Sequence, residues 1–236
     1  MDFLVKTKQR TEKEELMDDF SIGGDLLRDT LDKLENINRW LGGNKATING
    51  LKFILKNHSK EQEITIVDIG CGHGDILRDV AKFGKNNGYK FNLIGVDANP
   101  TAIEYANELS KDYEKLSFKT EDIFSEEFQN REFDIVLSTL FLHHFKEPQL
   151  LSFLEHTIKK TKIGVVVNDL HRHKLAYYLF MLLSPFIKNK MIVEDGLTSV
   201  LRGFKRKDLE KISSKLKIKT QISWKWAFRF LWIIKK

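Results

Sequence analysis

The chain has 236 residues, 42% of them hydrophobic and 31% charged, which suffices for one large α/β domain and excludes extended disorder. Its net charge is +6 and its isoelectric point about 9.2, but no run of five basic residues occurs, so the surplus reads as a solvated surface rather than a nucleic-acid stripe. The lone cysteine, Cys71, excludes an internal disulfide and fits a reducing compartment.

In chain order, residues 1–60 read as a helical cap. Thr11 and Glu14 have capping-box spacing, as if a helix opened there. Leu26, Leu27, Leu31 and Leu34 recur at helical spacing through Gly24 to Trp40. Gly42-Gly43 then breaks the helix, and another is expected from Ala46 to Lys56. From residue 63 the pattern changes. Glu63 to Asp68 is a β-branched strand ending at a glycine loop, with a helix over Ile76 to Asn86 behind it. Phe91 to Asp97 is a second strand, followed by a helix over Thr101 to Ser110. Leu116 to Thr120 and Phe133 to Ser138 are the third and fourth strands. A helix near Pro148 to Lys160 and a fifth strand at Ile163 to Asn168 follow. Strands alternating with helices imply right-handed βαβ units in a mostly parallel sheet. Residues 171–214 read as a helical insertion after the fifth strand, and Ile218 to Ile234 as two more strands. There Trp224, Trp226, Phe228, Phe230 and Trp232 alternate with other residues, which reads most simply as one buried sheet face.

Three segments carry chemistry. Asp68-Ile69-Gly70-Cys71-Gly72-His73-Gly74 lies between a strand and a helix. Glycines there permit a sharp turn and close approach of backbone to a ligand, and the helix beyond offers free N–H groups. Asp97, ending the second strand, is placed to accept from two ribose hydroxyls. After the third strand, Asp122 is placed to accept from an adenine amino group and Ile123 to pack on the ring. A nicotinamide site favours G-x-G-x-x-G at the first strand; here the third glycine comes one position early.

These motifs, with Phe133-Asp134-Ile135-Val136 after them, resemble the class I methyltransferases dependent on S-adenosylmethionine (SAM). The small-molecule branch that includes ubiquinone and menaquinone methyltransferases is the most similar. The resemblance covers roughly residues 61–170 and the terminal strands. It implies a Rossmann-like α/β fold: a seven-stranded, mostly parallel sheet with helices on both faces and an antiparallel last strand. Residues 61–236 would then form the SAM-binding domain, with the lid at about 171–214. The resemblance further implies that Gly70, Cys71, Gly72 and Gly74 pass the methionine part of SAM, that Asp97 holds the ribose, and that Asp122 and Ile123 hold the adenine. Asp68, Ala98, Asn99 and Ser138 adjoin these motifs and complete the expected cofactor set, with Arg39 as a partner for the SAM carboxylate. S-Adenosylhomocysteine (SAH) is the expected product.

Methyl transfer requires that the acceptor be positioned and lose a proton. The fourth strand runs into His143-His144 and the fifth into Asn168-Asp169-Leu170-His171. Both ends belong on the ligand side of such a sheet. In the resembled family His143-His144 matches a recurring histidine pair beside the methyl. A histidine among His143, His144 and His171 is therefore the expected base, oriented by Asp169. Asn168 and Asp169 offer oxygen ligands at one strand end but Ser138 and Thr139 offer no carboxylate at the other, so no metal is expected. The apolar stretch Leu175 to Leu183 is expected to wall a flat, aromatic or apolar acceptor. The segment Asp195 to Phe204 resembles one that family members place over that pocket, with Arg202 facing a carboxylate or phenolate.

The expected reaction is methylation of a hydroxyl on an aromatic or polyketide-like small molecule. Carbon methylation of a quinone-like ring, nucleic-acid methylation and a non-catalytic SAM-binding module are the alternatives. Met1 to Lys6 is too short for a leader, and Leu175 to Ile187, interrupted by Ser184-Pro185, falls short of the roughly 20 residues of a membrane span. The expected location is the cytoplasm.

Overall fold

A computed structural model describes residues 5–236; the expectations that fall on residues 1–4 lie outside the described residues. Seven strands form one sheet: β1 (Glu63–Ile69), β2 (Lys90–Asp97), β3 (Leu116–Thr120), β4 (Phe133–Thr139), β5 (Thr161–Leu170), β6 (Thr220–Lys225) and β7 (Arg229–Lys235). Their order is β3-β2-β1-β4-β5-β7-β6. The first five strands pair in parallel, and β7 lies antiparallel between β5 and β6. This is the expected Rossmann-like sheet. The order reverses between β1 and β4, the switch point outside whose carboxyl ends ligands bind in open α/β sheets.

The central strands are buried on both faces, as their unbroken apolar runs require. On one face Leu51 and Ile54 of α2 (Gly43–Leu55), Leu77 and Val80 of α3 (Asp75–Asn87) and Ile103 of α4 (Pro100–Leu109) pack on Ile66, Leu93 and Ile135. On the other, Leu150 and Phe153 of α6 (Glu147–Lys160) join Val67, Val136, Trp232 and Leu209. A short α5 (Glu126–Gln129) precedes β4. Helix α1 (Gly24–Trp40) packs through Leu27 and Leu31 against Ala102. The insertion after β5 holds α7 (Lys174–Leu183), α8 (Lys190–Arg202) and α9 (Arg206–Lys215).

Four local expectations change. No helix opens at Thr11: residues 5–15 carry no regular element, and the Thr11 N–H donates to the Leu201 carbonyl at 3.2 Å. Cap spacing without an apolar stripe behind it leaves nothing for a helix to bury. The break after α1 is Leu41 and the left-handed Gly42, and Gly43 already belongs to α2. Strand β5 runs on to Leu170, so Asp169 stands on the strand instead of beyond it. Finally, the aromatic alternation crosses a turn. Trp226, Ala227 and Phe228 connect β6 to β7, with Ala227 and Phe228 at positive φ. Phe230 and Trp232 are buried, whereas Trp224 and Trp226 are exposed.

Candidate active site

A cleft of about 1350 Å³ opens at the carboxyl ends of β1, β2 and β4. Asp68, Gly70, Cys71, Gly72, Asp97, Ala98, Asn99, Asp122 and Ile123 all line it, so motifs scattered over 55 positions meet in one place. The loop after β1 is shaped by Gly70, Gly72 and Gly74 at φ of 70°, 52° and 80°. A side chain at Gly70 would put its Cβ 2.1 Å from the Phe141 ring, and one at Gly74 2.3 Å from Phe118. Gly74 therefore serves the packing behind the loop and stays off the cleft's lining. Asp97 is held at both oxygens: Oδ2 accepts from the Gly72 N–H and Oδ1 from the Asn99 N–H, each at 2.9 Å. Burial raises its pKa against the opposing effect of these backbone donors. Asp68 is fully buried with Oδ1 unpartnered, and burial together with Asp75 and Asp97 raises its pKa well above the ordinary range.

The other wall of the cleft carries the histidines, on a single turn (Leu142–His144) after β4. His143 is 2% exposed. Its Nδ1 lies 2.7 Å from Asp169 Oδ1, and its backbone N–H donates to Asp169 Oδ2 at 3.2 Å. Its Nε2 has no hydrogen-bond partner and stands 3.5 Å from Glu15 Oε1, which is also unpartnered. Burial alone would lower the His143 pKa, but the charges of Asp169 and Glu15 raise it to about 9. The His144 ring lies 4.3 Å from that of His143, with its Nδ1 2.6 Å from Asp18 Oδ1.

Glu15 and Asp18 give no sequence signal, because they reach the histidines across more than 120 positions of chain. They are held there by Arg202, whose guanidinium donates to Asp18 and to the carbonyls of His143 and His144. Arg10 donates to the His143 and Arg202 carbonyls, each at 2.6 Å. Asp195 accepts from the N–H groups of Leu16 and Met17, closing the turn (Leu16–Asp18) that carries Asp18. Arg202 lines the cleft as expected, but its charge is engaged by Asp18 and Glu15.

Three expected residues stand elsewhere. Arg39 is paired with Glu35 and Asp79, 2.8 and 3.1 Å away, outside the lining. Its neighbour Asn38 does line the cleft, so it is the pairing with these two carboxylates, and not the place along α1, that takes Arg39 away. His171 packs at a tilt against Phe230 with ring centroids 4.7 Å apart, apart from the cleft, and burial with the nearby charge of His173 lowers its pKa to about 4. Ser138 is buried behind the lining, since alternate residues of β4 point away from the cleft. Helix α7 also contributes nothing to the lining. Asn168 donates to the Gly43 carbonyl and to Thr47 Oγ1, tying β5 to α2. Glu15, His143 and His144 each offer a ligand atom within 4.8 Å of the others, a spacing that could hold a metal ion; Arg202 already supplies a positive charge there, 3.6 Å from Glu15.

Residues 60–194, more than half of the chain, match the family described as "Methyltransferase domain". The chain belongs to that methyltransferase family. The ubiquinone biosynthesis O-methyltransferase of Rickettsia canadensis is 26% identical over 136 residues, 57% of this chain and 54% of that protein. The chain thus spans about half the length of that curated relative. The 2-methyl-6-phytyl-1,4-hydroquinone methyltransferase of Synechocystis is 30% identical over 107 residues, 44% of this chain and 31% of that protein. Among solved structures, the plantazolicin methyltransferase BpumL in complex with SAH superposes with a TM-score of 0.68 at 17% identity, covering 90% of this chain and 91% of that one. At that identity the likeness concerns the fold.

SAM is the cofactor of this methyltransferase, and the loop end of the cleft suits it. Asp97 retains lone pairs for two hydroxyl donors beyond its two backbone bonds. Asp68, Asp75 and Asp97 put three buried or half-buried carboxyls around the loop, and Asp68 Oδ1 lacks a donor. A ligand ammonium would supply the donor that Asp68 Oδ1 lacks, and its positive charge would favour the ionised form of these carboxyls.

Proposed function

We propose that this methyltransferase moves the methyl group of SAM to the hydroxyl of an aromatic or polyketide-like small molecule, with His143 accepting the hydroxyl proton. One observation carries the reading. The buried His143 is fixed at Nδ1 by Asp169 and carries no hydrogen bond at Nε2, which stands 3.5 Å from Glu15 in the cleft that the glycine loop and Asp97 also line. A neutral His143 donates its Nδ1–H to Asp169, which places the free lone pair on Nε2. SAM, when bound, would supply an electrophilic methyl carbon for the acceptor oxygen, the pair of electrons of the broken carbon–sulfur bond staying on sulfur. Nε2 takes the hydroxyl proton, and the resulting imidazolium is stabilised by Asp169 and Glu15. The proton then leaves to solvent through the open cleft. Phe141, Phe124 and Phe145, in edge-to-face contact beside the histidines, favour a flat or apolar acceptor. Asp97 holds the ribose and Ile123 packs on the adenine.

A phenol panel tests this with His143→Ala and His144→Ala compared at saturating SAM. His143→Ala is expected to lower turnover about 100-fold or more while SAM affinity stays within threefold. Equal turnover by wild type and His143→Ala would place the base elsewhere.

A further inference from the structure

Helix α7 is the most apolar segment of the sequence, yet it does not wall the cleft and buries only Ala176. Phe180 anchors it to α8, where a Cβ at Gly196 would come within 2.4 Å of the Phe180 ring. The remainder faces outward. Leu175, Leu179 and Leu182 recur at helical spacing on the exposed side, and Leu183 and Phe186 continue the patch. Leu182 is 69% and Phe186 83% exposed. A run of large apolar side chains this exposed marks an interaction surface.

Charge selects the partner. No Asp or Glu occurs from residue 170 to 193. Exposed lysines flank the apolar patch at both ends, Lys174 before it and Lys188 and Lys190 after it. Among the described residues, none of the three makes an ion pair with a carboxylate. A second copy docked by two-fold symmetry would set these flanking lysines against one another. An anionic lipid surface instead complements both features: leucine and phenylalanine enter the acyl boundary while lysines meet headgroups. No helix among the described residues is long and apolar enough to cross a membrane. At ten residues, α7 suits a helix lying in the plane of the interface.

We infer that α7 and the turn after it dock this methyltransferase on anionic membranes, inserting Leu175, Leu179, Leu182, Leu183 and Phe186. The contact leaves the cleft free, and it stands independently of which acceptor is methylated. Vesicle co-sedimentation tests it. Wild-type protein is expected to pellet with vesicles of phosphatidylglycerol and phosphatidylcholine, and at least tenfold less with phosphatidylcholine alone. The Leu182→Asp/Phe186→Asp variant is expected to lose at least tenfold in partitioning while its dissociation constant for SAM is unchanged. Lys174→Glu/Lys188→Glu/Lys190→Glu, which alters no buried side chain, is expected to lose binding to the anionic vesicles; it keeps the test decisive if the aspartates disturb the fold. Absence of wild-type binding, or undiminished binding by the lysine variant, would overturn the inference. So would a wild-type dimer in sedimentation velocity that the double aspartate variant splits into monomers, since a second copy would then cover the patch.

Discussion

Burial alone would push the His143 imidazole below its ordinary range, yet Asp169 and Glu15 hold it at about 9. At neutral pH it therefore rests as the cation, and only its neutral fraction can take a proton. Asp97 works in the opposite chemical sense, as an acceptor fixed by two backbone donors that offers further lone pairs. Replacing it removes charge-assisted bonds worth roughly 1.5–3 kcal/mol each. Asp97→Ala is accordingly expected to weaken SAM binding at least tenfold by titration calorimetry; an unchanged dissociation constant would remove its ribose role. That Asp97 would line the cleft was legible in the sequence because its placement is local, a carboxylate closing a strand beside a glycine loop. Arg39 and His171 were misplaced for the complementary reason. Residue type names a capability, but Glu35 and Asp79 already engage one and Phe230 the other.

Elements carry these residues into place, and the irregular N-terminal segment does so without being a helix. Glu15 and Asp18 reach the histidines because Arg202 at the end of α8 grips Asp18 and two backbone carbonyls of the histidine turn. No periodicity or motif announces a contact that joins position 15 to 143 and position 18 to 202. The sheet, by contrast, was legible strand by strand, since β-branched runs between helical stripes admit few other readings. Its errors sat at ends and turns, where β5 gained two residues at each end and a three-residue turn divided the aromatic tail. Arg202→Ala leaves Asp18 and Glu15 without their cation in a buried setting, which costs about 3–5 kcal/mol in comparable pairs. That variant is expected to show a lower urea midpoint, faster proteolysis within residues 5–19 and at least tenfold slower turnover. Proteolysis at the wild-type rate would show that the segment is held by other contacts.

For the whole molecule, the same pair proposed for catalysis shapes stability. The folded-state pKa of His143, about 9, lies above its ordinary 6.5. Its contribution to stability is therefore complete below about 6.5 and is lost as pH rises through about 9. Thermal unfolding across that window is expected to show a falling midpoint for wild type and a flatter one for His143→Gln. Activity should move the other way, because deprotonation that weakens the fold creates the base. The cleft unites the two functions: the glycine loop and Asp97 form one wall, His143 with Asp169 buried behind it the other, and SAM with its acceptor would meet between them. The most direct measurement is the pH dependence of kcat/KM for methyl transfer to a phenol that the enzyme accepts, taken for wild type and Asp169→Asn. Wild-type rates should climb from pH 7 to a plateau with a midpoint near 9; Asp169→Asn should be slower throughout, with its midpoint at least one pH unit lower. A flat wild-type profile, or an identical midpoint in both proteins, would contradict proton transfer to His143.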